Sequence, residues 1–196
     1  DLPGFVDTHT HYDVELLVSP GLLESVRHGV TTVLVGNCSI SGVYSGTTDV
    51  ADLFSRVEAL PRDSVLAALE DKKTWSDPAA WRETVEKLPL GPNVASFLGH
   101  SDVRASVMGL GRSTDPAHSP SRAELREIDR RIDAALDAGF LGVSTMTNPW
   151  DKMDGDRYRS RTLPSTHASW GEFRRISRLL RRRDRVLPGV PNLPMK

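Results

Sequence analysis

The feature that most constrains the fold of this chain is an alternation. Short apolar runs at residues 4–11, 30–35, 94–98 and 140–144 are each followed by loop and then amphipathic helical sequence, and Arg185-Val186-Leu187 begins a fifth round. Strand-period and helix-period segments taking turns point to a parallel α/β protein with right-handed crossovers. The helical stretches carry their own punctuation. Ser19 offers an N-cap with Pro20 at the first helical position, Leu22, Leu23 and Val26 give an apolar face, and Gly29 closes the stretch. Further helices are expected near 50–60 and 64–70, and after Asp77-Pro78, where Trp81, Val85 and Leu88 share a side. Ser121 and Glu124 form a capping box ahead of a stripe of Leu125, Ile128, Ile132, Ala135 and Leu136 that Gly139 ends. Phe173, Ile176, Leu179 and Leu180 line one more helix, and residues 146–169 between it and the fourth strand show no period.

In parallel α/β folds, ligands gather where strands end. Residues with chemistry stand there in this sequence: His9, His11, Cys38, His100, Ser144 and Thr145. Side chains alternate along a strand, so Phe5, Asp7, His9 and His11 share a face and the two imidazoles converge. Such a pair suits a divalent metal at about 2.0–2.1 Å from each nitrogen. The competing reading makes one histidine a core residue and the other a turn residue. His100, Ser144 and Thr145 are candidates to line a pocket, or simply polar strand ends. Tyr158, with Arg159 and Arg161, offers contacts for a substrate carboxylate or a solvated loop. Asp13 either orients a ligand histidine or makes a turn. His28, His118 and His167 lack strand-end contexts and are assigned nothing.

Composition excludes several classes. The 196 residues carry a net charge of −1, which gives no global attraction to nucleic acid or an anionic membrane. The Arg-rich stretch from Arg174 to Arg185 surrounds an apolar helical stripe, with cations favourably placed near the helix C-terminus. No apolar run nears the about 20 residues of a membrane span. A single cysteine allows no internal disulfide and suits a reducing, cytoplasmic setting. The opening Asp1-Leu2-Pro3 has neither an initiator methionine nor a signal peptide, so sequence is expected upstream.

The stretch from Pro3 to Asp13 (PGFVDTHTHYD) resembles the start of a metal-dependent amidohydrolase. His28 to Cys38 (HGVTTVLVGNC) narrows the resemblance to the N-acyl-D-amino-acid deacylase, or D-aminoacylase, branch, and residues 93–104 and 138–145 are similar to that branch as well. The resemblance implies a (β/α)8 barrel, of which this chain holds roughly the first four to five units. The remaining half and a small β-sandwich would be missing, in an enzyme perhaps twice as long. It implies that His9 and His11 are metal ligands. Many relatives bridge two metals with a carboxylated lysine on strand four, but here that strand ends Val143-Ser144-Thr145. In the D-aminoacylase branch a strand-two cysteine serves instead, and Cys38 matches it; its other fate is a small buried hydrophobe. The implied activity is zinc-dependent hydrolysis of the amide of an N-acyl-D-amino acid, with one or two divalent ions. The catalytic aspartate is expected beyond Lys196. Cyclic amidases of the dihydroorotase and hydantoinase kind, deaminases, and a catalytically silent metal-binding fragment are the rival readings.

Overall fold

The computed structural model describes residues 3–190; Asp1, Leu2 and the stretch 191–196, where the chain's two ends were read, lie outside the described residues. β1 (Phe5–Asp7) is followed by two short helices, α1 (Glu15–Val18) and α2 (Leu23–Arg27), and then by β2 (Val30–Val35). Three helices follow: α3 (Thr47–Phe54), α4 (Arg62–Lys72) and α5 (Pro78–Glu86). β3 (Asn93–Ser96) and β4 (Leu98–Gly99) lead into α6 (His100–Met108), α7 (Leu110–Ser113) and α8 (Arg122–Asp137). β5 (Val143–Met146), a 3-10 turn (Pro164–His167), α9 (Trp170–Arg182) and β6 (Gly189–Val190) complete the order. All strand pairs are parallel, in two three-stranded sheets ordered β1-β2-β3 and β4-β5-β6. The alternation read from the sequence is therefore a mixed α/β fold with parallel sheets.

One residue joins the sheets. The third apolar run was expected to be a single strand, but Phe97 divides it. Its N–H donates to the Val35 carbonyl at 3.0 Å, while the next N–H, of Leu98, donates to Gly142 at 3.0 Å. The chain thus changes partner from β2 to β5 across a single peptide, as the right-handed rotation between neighbouring strands favours. Gly36 allows β2 to pass close by, since a Cβ there would lie 2.0 Å from the Phe97 carbonyl oxygen.

Four other expectations shift. The opening strand stops at Asp7 rather than reaching His11, because Thr10 bonds the Leu34 carbonyl through both its N–H (3.1 Å) and its hydroxyl (2.7 Å) and turns the chain inward. Ser19 closes α1 instead of opening a helix, and α2 starts after Leu22, whose φ of 43° is left-handed. β2 is an apolar run that is not wholly buried: Val33 and Val35 are buried on one face, while Val30, Thr32 and Leu34 on the other are only half-buried. β5 runs two residues past Ser144, and its partner β6 lies beyond the 185–187 run, where Val186 makes only a bridge to Gly142.

The helices meet their signals more closely. Asp77 accepts from Ala79 and Ala80, both at 3.0 Å, at the start of α5, and Ser121 and Glu124 close their capping box at 3.2 and 2.8 Å. α8 buries Ile128, Ile132, Ala135 and Leu136, and α9 buries Ile176, Leu179 and Leu180. Trp81 of α5 packs on Phe140 with ring centroids 5.0 Å apart. No helix among the described residues is long and apolar enough to cross a membrane.

Candidate metal centre

His9, His11 and Cys38 come together past the ends of β1 and β2. One ligand atom from each lies within 4.8 Å of the others. The Cys38 sulfur is 3.2 Å from His9 Nε2, and the two imidazoles meet edge to face with centroids 5.3 Å apart. Two elements of backbone chemistry present the thiol. Cys38 (φ 50°) and Ser39 (φ 72°) are consecutive left-handed residues, a conformation that is uncommon without glycine and needs support from its surroundings. The support is visible: Asn37 Nδ2 donates to the Thr10 and Leu34 carbonyls at 3.2 and 2.9 Å, tying the β2 turn to the histidine segment.

Asp102 supports the next residues of the same loop. Its fully buried carboxylate accepts from the Ser41 hydroxyl (2.8 Å) and from the backbone N–H groups of Val43 (2.6 Å), Tyr44 (3.1 Å) and Ser45 (2.8 Å). A loop rich in serine and glycine is thereby fixed by one carboxylate reaching from the first turn of α6. The sequence shows no sign of this, since the partners stand about sixty positions apart.

Burial first, and neighbouring charges second, shift the titratable groups around the centre. Burial, then Asp151 and Glu58, push the Cys38 thiol up to about 11. Burial and the neighbouring His9 bring His11 down to about 4. Glu58, from the segment after α3, stands 3.2 Å from His11 Nδ1, outside the ring's donor direction, so the contact is electrostatic rather than an aligned hydrogen bond. Burial and Asp151 raise Glu58 to about 7. Two imidazoles, a thiol and nearby carboxylates are a donor set that fits a thiophilic divalent ion such as zinc, whose charge would bring the thiol and Glu58 back down and keep His11 unprotonated. Neither Glu58 nor Asp151 was singled out by the sequence: the helix expected near 50–60 ends at Phe54, which leaves Glu58 in a turn, and Asp151 lies in the aperiodic stretch 146–169.

The other candidates fall in different places. Ser144 is buried and its hydroxyl donates to the Gly36 carbonyl (2.5 Å) and accepts from the Ser39 N–H (3.0 Å), so it holds the turn that presents Cys38. Thr145 lines a cavity of about 140 Å³ with His9, Asn37, Cys38 and Ser144. His100 does not reach that cavity. It opens α6, is fully buried, and bonds Thr145 Oγ1 through Nδ1 (3.2 Å) and Glu172 through Nε2 (2.8 Å). Tyr158 belongs to another cavity, with Arg112, Asp115, His118 and Arg161. Arg161 stacks on the Tyr158 ring at 5.1 Å and bonds the Gly111 carbonyl, while Arg159 contacts Asp154. Tyr158 and Arg161 anchor the loop on α7, Arg159 pairs within the loop, and none of the three lines the cavity of His9 and Cys38. Both Asp13 oxygens are buried near the Gly36 amide without a well-aligned hydrogen bond, and burial raises the carboxyl to about 8; it makes no hydrogen bond to either imidazole.

Parallel strands carrying a His-x-His and cysteine cluster at their ends offer a donor set of the kind that can hold a divalent ion. No family model matches the chain. An uncharacterized protein of Mycobacterium tuberculosis is 58% identical over 192 residues, which is 98% of this chain and 31% of that protein. The N-acyl-D-glutamate deacylase of Alcaligenes xylosoxydans xylosoxydans is 36% identical over 146 residues, covering 73% of this chain and 26% of the relative. Among solved structures, a D-aminoacylase superposes with a TM-score of 0.68 at 28% identity, over 94% of this chain and 33% of that one. The N-acyl-D-glutamate deacylase of Bordetella bronchiseptica, solved with zinc and a phosphonate inhibitor, gives 0.66 at 27% identity, over 95% of this chain and 33% of that one. The chain belongs with the D-aminoacylases and N-acyl-D-glutamate deacylases of the amidohydrolase superfamily, and it spans about a third of the length of the relatives it matches.

Proposed function

We propose that this chain is the metal-holding part of a zinc-dependent deacylase that hydrolyses the amide bond of N-acyl-D-amino acids or closely related compounds. His9, His11 and Cys38 hold the metal in this reading, with one or two divalent ions in the complete protein. The parallel strands are the first four to five units of a (β/α)8 barrel, and the rest of the barrel, a small β-sandwich and the aspartate that moves the proton come from outside these residues. The observation that carries the reading is the convergence of the three ligand atoms within 4.8 Å at the ends of neighbouring parallel strands.

A divalent ion in such a site polarises an acyl carbonyl and acidifies a water at neutral pH. The chain's own residues prepare for it. Ser144 and Asn37 hold the left-handed turn that aims the Cys38 sulfur at His9. Glu58 places negative potential beside His11, favouring a bound cation over an empty pair of imidazoles. The small cavity beside Cys38 and Thr145 leaves room for the acyl end of a ligand.

The test is metal analysis of the complete protein together with hydrolysis of N-acetyl-D-glutamate, N-acetyl-D-aspartate, their L enantiomers, dihydroorotate and hydantoin. Zinc bound in proportion to protein, with turnover of the D-amides alone, is the expected result. Turnover of the cyclic amides moves the protein to the dihydroorotase and hydantoinase type, and bound zinc with no turnover of any compound makes it a silent metal-binding protein.

A further inference from the structure

α9 has three faces, and only two of them have a partner. Ile176, Leu179 and Leu180 are buried against the rest of the protein. On one flank Arg175 pairs with Asp129 of α8, and Arg183, at the end of the helix, pairs with Asp133 and Asp137. Arg174, Arg178, Arg181 and Arg182 belong to neither face. At 3.6 residues per turn they lie about 180° round the helix from the buried stripe, so they point outward. All four are exposed, and none has an ion pair or a hydrogen bond among the described residues. A helix packed beside α9 in the same layer, as α8 is, would cover a flank and leave this face bare.

The face is unlike an ordinary solvated one. Protein surfaces mix the two signs of charge, but no acidic residue stands between Phe173 and Arg183. The helix dipole favours cations only in the last turn, which accounts for Arg181 and Arg182 but not for Arg174 or Arg178. One turn before Arg174, Trp170 is 75% exposed. Exposed tryptophan together with arginine is the composition of binding hot spots.

The spacing says what fits. The four arginines follow i, i+4, i+7 and i+8, so they repeat along the axis with the pitch of an α-helix, about 5.4 Å. Carboxylates at the same spacing on a second helix meet them in register, and the guanidinium fork suits a carboxylate. α8 shows such a match on the adjoining flank, where Asp129, Asp133 and Asp137 stand four residues apart and take Arg175 and Arg183. A duplex or a membrane is broader than this stripe, and its phosphates would also meet the exposed carboxylates of Asp137 and Asp184 at the end of the helix.

We propose that the outward face of α9 is a docking surface for an acidic helix of a partner protein, with carboxylates at four-residue spacing opposite Arg174, Arg178 and Arg182 and an apolar side chain over Trp170. The surface is independent of the metal centre and of the deacylase reading.

The test uses the complete protein and labelled synthetic peptides, read by fluorescence anisotropy at about 0.15 M ionic strength. One peptide is an alanine-based helix of about 20 residues with a glutamate every four residues, and the other has the same composition with its glutamates in adjacent positions. The spaced peptide is expected to bind at least about tenfold more tightly, the scale of a few surface ion pairs acting together. Arg178→Glu with Arg182→Glu should abolish that binding. Arg178→Gln with Arg182→Gln, and separately Trp170→Ala, should weaken it, and thermal melting followed by circular dichroism shows that each variant is folded. Equal affinity for the two peptides overturns the register, and unchanged binding in the folded arginine variants overturns the surface. Tighter binding to a DNA duplex or to phosphatidylserine vesicles than to the spaced peptide overturns the acidic-helix partner. No binding of the spaced peptide shows a face that is covered in the complete protein or simply solvated, and overturns the proposal as a whole.

Discussion

At the scale of single residues, Cys38 concentrates the most consequence. It is held in a left-handed conformation, and no lysine on β5 is available to replace its charge at the proposed metal site. In the complete protein, Cys38→Ala should lower bound zinc and hydrolysis together, while Cys38→Asp retains part of both, because a carboxylate still coordinates. Metal analysis after dialysis against a weak chelator checks this; full zinc and an unchanged rate in Cys38→Ala would make the thiol a packing group. Glu172 gives a pH signature. Burial alone would raise its carboxyl, but the His100 hydrogen bond and the Arg104 charge hold it at about 2, below the ordinary 4.5. The folded value is the lower one, so this stability is complete above about pH 4.5 and is lost as pH falls through 4.5 toward 2. Glu172→Gln should flatten that acid limb and cost about 3–5 kcal/mol, because it strands a buried guanidinium. Urea midpoints measured across that pH range decide it. The histidine pair was legible in the sequence because its spacing is local. For His100 the sequence left a pocket residue and a polar strand end both open; the chain becomes helical at that residue and the ring is buried.

At the scale of elements, the β2–α3 loop shows what pattern reading misses. Its serines and glycines signal a loop and nothing more, yet three consecutive backbone N–H groups and a hydroxyl converge on Asp102. Asp102→Ala leaves those donors buried and unpaired, and should destabilise the protein by about 3–5 kcal/mol. It should also weaken zinc binding, since the loop begins at Cys38. Denaturant titration with a parallel metal-competition assay tests both effects; a loss of stability with unchanged zinc affinity would show that the Cys38 turn stands without the loop. Helices with a side-chain cap and a long stripe, such as α5, α8 and α9, were legible because cap and stripe are both local. The failures lie where tertiary bonds override local signals. Ser19-Pro20 reads as a helix start, but α1 ends there, and the third apolar run reads as one strand because only the partner exchange at Phe97 divides it.

At the scale of the whole molecule, the parallel order was written in the alternation, but which edges are covered was not. Among the described residues β1 pairs only with β2, so its other edge offers free N–H and C=O groups. Large apolar side chains are exposed on β1 itself and on the helix after it: Phe5 is 69% exposed and Val6 56%, and Leu23 of α2 is 73% exposed. An open edge beside exposed apolar groups recruits other strands, and natural proteins usually cover or blunt such edges. Expressed by themselves, the 196 residues should therefore associate in a concentration-dependent way and show no zinc-dependent amide hydrolysis, even though His9, His11 and Cys38 retain the means to capture an ion. Phe5→Lys, together with Val6→Thr, should reduce the association by placing a charge and a hydroxyl on the open edge, with little loss of fold because both positions are exposed. Light scattering over a range of concentrations, for the chain and for the double variant, reads the outcome. A monodisperse, cooperatively melting monomer would show that α1, α2 and the loops before β2 shield the edge better than their exposures indicate, and zinc-dependent turnover by that monomer would place the proton carrier within these residues, with Glu58 and Asp151, whose charges act on Cys38, as carboxylates to examine.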